Sequence, residues 1–226
     1  MLAQPVRAEL KCTRRLEEQA LRAGWRLVAG CDEVGRGALL GPLYAAAVIL
    51  DPAKRIRGVD DCKKLAPSRR ESLALEISEK ALAFKVVSLA AAEVDALNVY
   101  EASRQGMIRA LLALNPAPEF ILTDAMPLEG CTGPTCFPIP HRAVVHGDAL
   151  SVSIAAASIL AKVARDAHLQ ELDRLYPQYG LARNKGYGTR DHLEALAAYG
   201  PCPEHRKSYQ PVKDFLLPLF PYSGAA

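Results

Sequence analysis

Two adjacent carboxylates, Asp32 and Glu33, follow the apolar residues 27–30 and Cys31, and a Gly-Arg-Gly turn at 35–37 comes one residue after them. Two like charges close together in a low-dielectric environment resist ionising together, and a divalent cation removes that cost. Glycines let the backbone approach another molecule closely, and a guanidinium suits a phosphate. These residues indicate a site that binds a metal ion together with a phosphate-bearing ligand. An exposed turn after a strand is the alternative.

Two more aspartates stand at element ends. Asp124 ends the predicted strand 119–123, and Asp148 precedes the Ala-rich helix predicted over 150–176. Four carboxylates converging at one sheet edge would supply hard oxygen ligands for two Mg²⁺ or Mn²⁺ ions, as two-metal phosphoryl transfer requires. Taken alone, Asp124 is typical of a strand-end turn and Asp148 of a helix N-cap. Since neighbours on a strand point to opposite faces, Asp32 and Glu33 need a bend between them.

Two further features suit a nucleic acid. Tyr187 stands between two glycines ahead of a short helix, where an exposed ring could stack on a nucleotide; a half-buried loop tyrosine is the alternative. A basic stretch between 54 and 70 is either a footprint for polyanions or a solvated face. It contains Lys54, Arg55, Arg57, Lys63, Lys64, Arg69 and Arg70, against Asp60 and Asp61.

Composition narrows the class of protein. The chain of 226 residues with net charge +3 suits one soluble domain. Its longest apolar run, 43–50, is far short of a membrane span, and the N-terminus lacks a hydrophobic signal core. Six scattered cysteines are typical of reduced thiols, so a cytoplasmic protein is expected. No phosphate-loop or nucleophile-elbow motif occurs.

Periodicity and punctuation predict the order of elements. Strands are expected over 26–31, 43–50, 84–89, 119–123 and 142–145, and helices up to about 22 and over 68–82, 98–114, 150–176 and 189–200. Ser68 with Glu71 predicts a capping box for the second helix, and Asn98 and Thr189 are the expected caps of two later ones. This mixture, without repeats, predicts a single α/β domain.

Several ordered motifs together resemble the type 2 ribonucleases H, specifically bacterial ribonuclease HII. The resemblance covers about residues 25–213. The matching pieces are 32–37 (Asp-Glu-Val-Gly-Arg-Gly), 41–42 with 45–50, 61–65 (Asp-Cys-Lys-Lys-Leu), 123–125, 147–148, 154–166, 184–189 (Asn-Lys-Gly-Tyr-Gly-Thr) and 205–209 (His-Arg-Lys-Ser-Tyr).

The resemblance implies a ribonuclease H-like fold, with a mixed five-stranded sheet flanked by helices. A lead-in would span 1–25, and the catalytic domain 26–226 would carry a C-terminal helical extension from about 177. The implied activity is metal-dependent hydrolysis of the RNA strand of RNA–DNA hybrids, including single ribonucleotides embedded in duplex DNA, in DNA replication and ribonucleotide excision repair. The products would carry 5′-phosphate and 3′-hydroxyl ends, and two Mn²⁺ or Mg²⁺ ions would serve as cofactors.

The resemblance also assigns roles residue by residue. Metal binding and catalysis would fall to Asp32, Glu33, Asp124 and Asp148. Ribose sensing would fall to Gly35, Arg36 and Gly37, stacking on the sugar to Tyr187, and contact near the substrate backbone to Lys63 and Lys64. A monomer without membrane contact is expected, and a sliding-clamp partner is open.

The chain departs from the family pattern at three places. Cys62 replaces the usual Ser, His146 the usual Lys, and the loop holding Cys131 and Cys136 is longer than is typical. These changes bear on phosphate contacts and not on the acids. A non-catalytic hybrid-binding protein and another nuclease of the same fold, such as a resolvase or transposase, are the competing interpretations.

Overall fold

A mixed five-stranded sheet forms the centre of the protein. The structure, a computed structural model, describes residues 10–128 and 137–216. The strands are β1 (Val28–Val34), β2 (Leu43–Ile49), β3 (Ala83–Leu89), β4 (Phe120–Asp124) and β5 (His141–Val144), in the spatial order β3-β2-β1-β4-β5. β2 pairs antiparallel with both β1 and β3, whereas β4 pairs parallel with β1, and β5 pairs parallel with β4. The predicted mixed sheet with flanking helices is confirmed.

Eight α-helices surround the sheet in the described ranges. They are α1 (Arg15–Arg22), α2 (Pro67–Lys80), α3 (Ala91–Leu97), α4 (Val99–Leu112), α5 (Val152–Leu175), α6 (Leu181–Asn184), α7 (Arg190–Tyr199) and α8 (Gln210–Leu216). Within those ranges, none combines the length and apolar character needed to cross a bilayer.

The two faces of the sheet bury separate cores. On one face, Ala45 and Ala47 of β2 pack with Met107 of α4. On the other, Ala46 of β2 packs with the alanines of α5. Small side chains bring α5 so close that a Cβ added to Gly30 of β1 would lie 2.1 Å from the backbone carbonyl carbon of Ser153. The Ala-rich sequence of α5 is therefore a packing requirement.

Two of the three predicted helix caps are present in the structure. Asn98 accepts hydrogen bonds from the backbone N–H groups of Tyr100 and Glu101, and Thr189 caps α7, as expected. The Ser68 cap is wrong: α2 begins one residue earlier at Pro67, whose missing N–H and fixed φ suit a first helical position. The short helices α3, α6 and α8 are not among the predicted ones.

Segments at both ends of the chain attach to the sheet domain. Glu17 of α1 is buried, and one of its carboxylate oxygens accepts hydrogen bonds from both Ser151 and Ser153 at the start of α5. After α5, residues 186 and 204–206 bond to the backbone of residues 39–41. The division into a lead-in, a catalytic domain and an extension stays a prediction. Cys131 and Cys136 lie outside the described residues.

Candidate active site

Asp32 and Glu33 are inside β1 and do not follow it. β1 continues to Val34, and Asp32 and Glu33 pair regularly with Ala46 and Ala45 of β2. The expected bend between the two acids is therefore wrong. Asp32 lies on the α5 side, 4% exposed, and Glu33 lies on the opposite side with a side chain 7% exposed. Both carboxyls are thus held at the end of a buried strand.

Asp124 and Asp148 are brought together by the turn that precedes α5. Asp124 is the last residue of β4, and its Oδ1 accepts a hydrogen bond of 2.7 Å from the backbone N–H of Gly147. Asp148 follows in the 3₁₀ turn Gly147–Ala149 and is buried. The N-cap of α5 is Ser151, so Asp148 is not the cap of that helix.

The carboxyls affect one another's ionisation. Burial, followed by the charges of Glu33 and Asp124, raises the pKa of Asp32 well above its usual value. Burial and Asp124 raise the pKa of Glu33 against the lowering effect of Arg36. Burial and Asp148 raise the pKa of Asp124. The simultaneous ionisation of Asp32, Glu33 and Asp124 is therefore unfavourable without added positive charge, and the charge of Asp148 adds to this effect at Asp124.

Two observations bear on whether these carboxyls could hold a cation. Glu33 Oε2 is buried without a hydrogen-bond partner, although its Oε1 pairs with Arg36 at 3.1 Å. Lys63 places its ammonium 3.0 Å from Asp148 Oδ2 and so supplies a positive charge there. Hard carboxylate oxygens are what Mg²⁺ and Mn²⁺ prefer. Among the described residues, however, no three His, Cys, Asp or Glu side chains form a ready-made ligand group.

The turn 35–37, which we call the recognition turn, lies at the end of β1. Gly35 has φ +91°, and a Cβ there would fall 2.3 Å from Arg165 Nε, so only glycine fits. Arg36 and Gly37 are exposed. A Cβ added to Gly37 would lie 3.8 Å from Cε1 of the Tyr187 ring, so the predicted stacking residue borders this turn.

Tyr187 is 38% exposed and is supported from behind by buried side chains. The Arg165 guanidinium carbon lies 5.7 Å from its ring centroid. Its carbonyl accepts a hydrogen bond of 2.9 Å from His192 Nδ1, and His192 Nε2 lies 3.2 Å from His205 Nε2. Burial lowers the pKa of both histidines, that of His205 to about 4, so neutral rings hold the loop.

The two predicted substrate lysines differ in position. Lys63 contacts Asp148, and its side chain is 78% exposed. Its partial burial would lower its pKa, but the hydrogen bond and charge of Asp148 raise that pKa overall. Lys64 pairs instead with Asp60 at 3.4 Å.

Cys62, which replaces the serine usual in the family, lies against α5. Its Sγ accepts a hydrogen bond of 3.3 Å from the hydroxyl of Ser158 in that helix.

Sequence reasoning gave no role to several residues that build the site. Arg165, Arg206 and Tyr209 lie in motifs that carried the resemblance, yet only the structure shows them beneath the recognition turn. Glu17 was likewise missed. A charged residue inside an apolar helical pattern, as Arg165 is, was the one available signal.

Comparison with known proteins agrees with this geometry. The family described as Ribonuclease HII matches residues 29–212. A ribonuclease HII from Solibacter usitatus is 46% identical over 231 residues, covering 98% of each chain, and one from Geobacillus kaustophilus is 50% identical over 202 residues, covering 89% of this chain and 75% of its own.

Solved structures share the fold. Ribonuclease H2 from Pyrococcus horikoshii OT3 aligns with a TM-score of 0.70 at 26% identity, covering 84% of this chain and 97% of its own. Bst-RNase HIII in complex with Mn²⁺ aligns with a TM-score of 0.61 at 19% identity, over 84% of this chain and 69% of its own, which speaks for the fold alone. The chain therefore belongs to the ribonuclease HII family and is a metal-dependent ribonuclease.

Proposed function

We propose that this chain cuts the RNA strand of RNA–DNA hybrids, and single ribonucleotides embedded in duplex DNA, by two-metal-ion hydrolysis that leaves 5′-phosphate and 3′-hydroxyl ends. As a member of its family, it is an endoribonuclease that degrades RNA in such hybrids. The observation that carries the finer proposal is that burial and neighbouring carboxylates raise the pKa of Asp32, Glu33 and Asp124 at the adjoining ends of β1 and β4, with the charge of Asp148 acting on Asp124.

These four carboxylates would hold the metal ions. Two divalent ions bound there supply activation of a water molecule and stabilisation of the departing 3′ oxygen. The protein contributes the placement of the ligands: sheet pairing holds Asp32 and Glu33, and the hydrogen bond from Gly147 orients Asp124. Lys63 holds positive charge at Asp148 until cations bind.

Substrate selection would take place beside these four carboxylates. The 2′-hydroxyl is the group that distinguishes a ribonucleotide locally, and Arg36 and Gly37 of the recognition turn are exposed where they could contact it. Gly35, the remaining residue of the turn, would support them from a buried position. Tyr187 offers its ring to the adjoining sugar. Lys63, Lys64 and the remaining basic stretch would add affinity that is independent of sequence and weakens with salt.

The biological setting is part of the proposal. An enzyme of this specificity would act in DNA replication and ribonucleotide excision repair, as a cytoplasmic monomer. A solved relative, which aligns with a TM-score of 0.68 at 26% identity, is described as the PCNA:RNase HII complex from Archaeoglobus fulgidus. A sliding clamp is therefore a proposed partner here too, and a pull-down of the purified chain with a clamp would test it.

The decisive experiment uses a labelled DNA duplex that contains one ribonucleotide. We expect nicking at that position with Mg²⁺ or Mn²⁺ and none with EDTA. Asp32→Asn should retain its fold and lower the rate by about 1,000-fold, because losing ~4 kcal/mol of transition-state stabilisation has that effect. Asp191→Asn, an exposed aspartate at the start of α7, is the matched control and should cut normally.

The same assay separates the alternatives. Binding to the duplex without any metal-dependent nick would identify a non-catalytic hybrid-binding protein. Cleavage of an all-DNA duplex or junction would identify a resolvase- or transposase-like nuclease. Near-normal turnover by Asp32→Asn would remove the two-metal mechanism.

A further inference from the structure

Two fully buried arginines lie beneath the recognition turn. Arg165 of α5 donates from Nε to the carbonyl of Pro42 at 3.0 Å and from Nη1 to that of Lys185 at 3.0 Å. Arg206 donates from Nε to the carbonyl of Gly41 at 3.1 Å. Burying a guanidinium is costly, and in the described part of the chain Nη2 of Arg206 has no hydrogen-bond partner. The hydrogen bonds that the two arginines do make therefore constrain the backbone that supplies the carbonyls.

The carbonyl of Arg36 is held by two donors at once. Arg206 Nη1 donates to it at 2.9 Å, and the hydroxyl of Tyr209 donates to it as well. That hydroxyl also accepts a hydrogen bond of 3.0 Å from Arg206 Nη1, and the Arg206 guanidinium lies 5.3 Å from the Tyr209 ring centroid. Arg206 and Tyr209 therefore act as one unit on a single backbone oxygen of the recognition turn.

Holding this oxygen inward decides the direction of the next N–H. In a trans peptide the C=O and the following N–H point in opposite directions. The N–H of Gly37 is therefore directed away from Arg206 and Tyr209. Gly37 is exposed, and in the described part of the chain no backbone or side-chain acceptor takes its N–H. A free backbone donor thus lies beside the Tyr187 ring.

Because residue 37 is a glycine, other contacts have to fix the direction of the peptide that precedes it. Rotating the peptide between Arg36 and Gly37 changes ψ of the first residue and φ of the second, and glycine tolerates nearly any φ. Without the two inward hydrogen bonds, the peptide could turn over and present its carbonyl outward. An outward carbonyl would replace the exposed donor with an acceptor.

We propose that Arg206 and Tyr209 are positioning residues for ribonucleotide recognition, which present the Gly37 N–H to the oxygen of a ribose 2′-hydroxyl. The inference rests on the proposed function and deepens it. A 2′-deoxy sugar has no atom to accept this hydrogen bond. The two hydrogen bonds that hold the Arg36 carbonyl should therefore contribute to selectivity for ribose and not to general affinity for duplex.

The test is Tyr209→Phe, which removes one hydroxyl and keeps the ring. Measured with Mg²⁺, kcat/KM on a duplex with one ribonucleotide should fall about 5- to 10-fold, the usual effect of one lost hydrogen bond. The inhibition constant of an all-DNA duplex of the same sequence should stay unchanged. Tyr199→Phe, on an exposed tyrosine of α7, is the matched control and should leave both values unaltered.

The outcomes are distinct from those that test the function itself. If the wild-type enzyme nicks the ribonucleotide and Tyr209→Phe keeps the same selectivity, the inference is overturned. Equal weakening of both duplexes would also overturn it, because that result describes a general structural role. Arg206→Lys should show the larger loss of selectivity, read together with its melting temperature. A wild-type enzyme that does not nick would instead defeat the proposed function.

Discussion

At the residue scale, the proposed active site combines unfavourable charges with incomplete hydrogen bonding. Glu33 pairs with Arg36 through one oxygen and leaves the other buried and unpartnered. Such an atom costs free energy in the isolated protein, and a ligand that satisfies it recovers that cost. The same residues that destabilise the metal-free site are therefore those expected to bind cations.

Tyr187→Ala tests the stacking role. Loss of an aromatic platform removes about 1–3 kcal/mol per stacked group. We expect kcat/KM to fall more on a duplex with one ribonucleotide than on a long hybrid, since a long hybrid offers many alternative registers. Tyr187→Phe keeps the ring and should behave nearly as wild type. Equal losses on both substrates for Tyr187→Ala would contradict the stacking role.

At the scale of elements, the contact between β1 and α5 positions the acids relative to one another. Gly30 lies two residues before Asp32, and it packs against the backbone of Ser153 near the start of α5. Asp148 stands in the turn just ahead of that helix start. The distance between sheet and helix therefore sets the distance between acids from different parts of the chain.

Gly30→Ala should disturb this contact. Its new Cβ would lie 2.1 Å from a backbone atom that cannot rotate away, so we expect a stability loss of about 3 kcal/mol and reduced cleavage. Gly106→Ala in α4 is the comparison, because its Cβ would meet a flexible Leu89 methyl at 3.0 Å and the Ala45 Cβ at 3.2 Å, both farther than the 2.1 Å at Gly30. Alanine also favours a helix by ~1 kcal/mol over glycine. Denaturant unfolding and nicking assays measure both effects; equal costs for the two variants would refute the argument.

At the scale of the whole molecule, the sheet domain and the segment after α5 together form the proposed substrate surface. Bridges join Ala38 to Tyr187 and Leu40 to His205, so the residue that follows the recognition turn is joined to Tyr187 through backbone pairing. Metal binding at one side of this surface should stabilise the entire fold, since ligands that bind only the native state raise its stability.

The pH dependence of stability provides a global test. A carboxyl whose folded pKa is raised costs nothing below its unfolded pKa, and its cost grows as pH rises towards and through the folded value. Burial, Glu33 and Asp124 raise the pKa of Asp32. Metal-free Asp32→Asn should therefore melt above wild type by a margin that increases from pH 4 upward, at about 2–4 °C per kcal/mol.

Comparing wild type with Asp32→Asn cancels the opposite contributions of surface acids whose pKa is lowered, such as Glu93 and Glu101, because both proteins contain them. Added Mg²⁺ should raise the melting temperature of wild type more than that of the variant. A margin that shrinks as pH rises, measured by calorimetry, would show that Asp32 is not destabilised by its neighbours.

The sequence by itself determined the features that depend on short-range chemistry and on ordered motifs. The five strands lie within a few residues of their predicted ranges, because apolar runs and turn residues act locally. The caps Asn98 and Thr189 were predicted because a side chain needs only the next few N–H groups. The motifs identified the family, and with it the fold and the candidate acids.

Only the tertiary structure decided how residues from distant parts of the chain come together at the site. It placed Asp32 and Glu33 inside a regular strand and buried Arg165 and Arg206 beneath the recognition turn. The positions of the two arginines depend on contacts between segments more than 100 positions apart, such as Arg206 with Arg36 and Arg165 with Pro42. No local pattern encodes such contacts, because burial and hydrogen bonding of this kind arise only when the sheet, α5 and the C-terminal segment pack together.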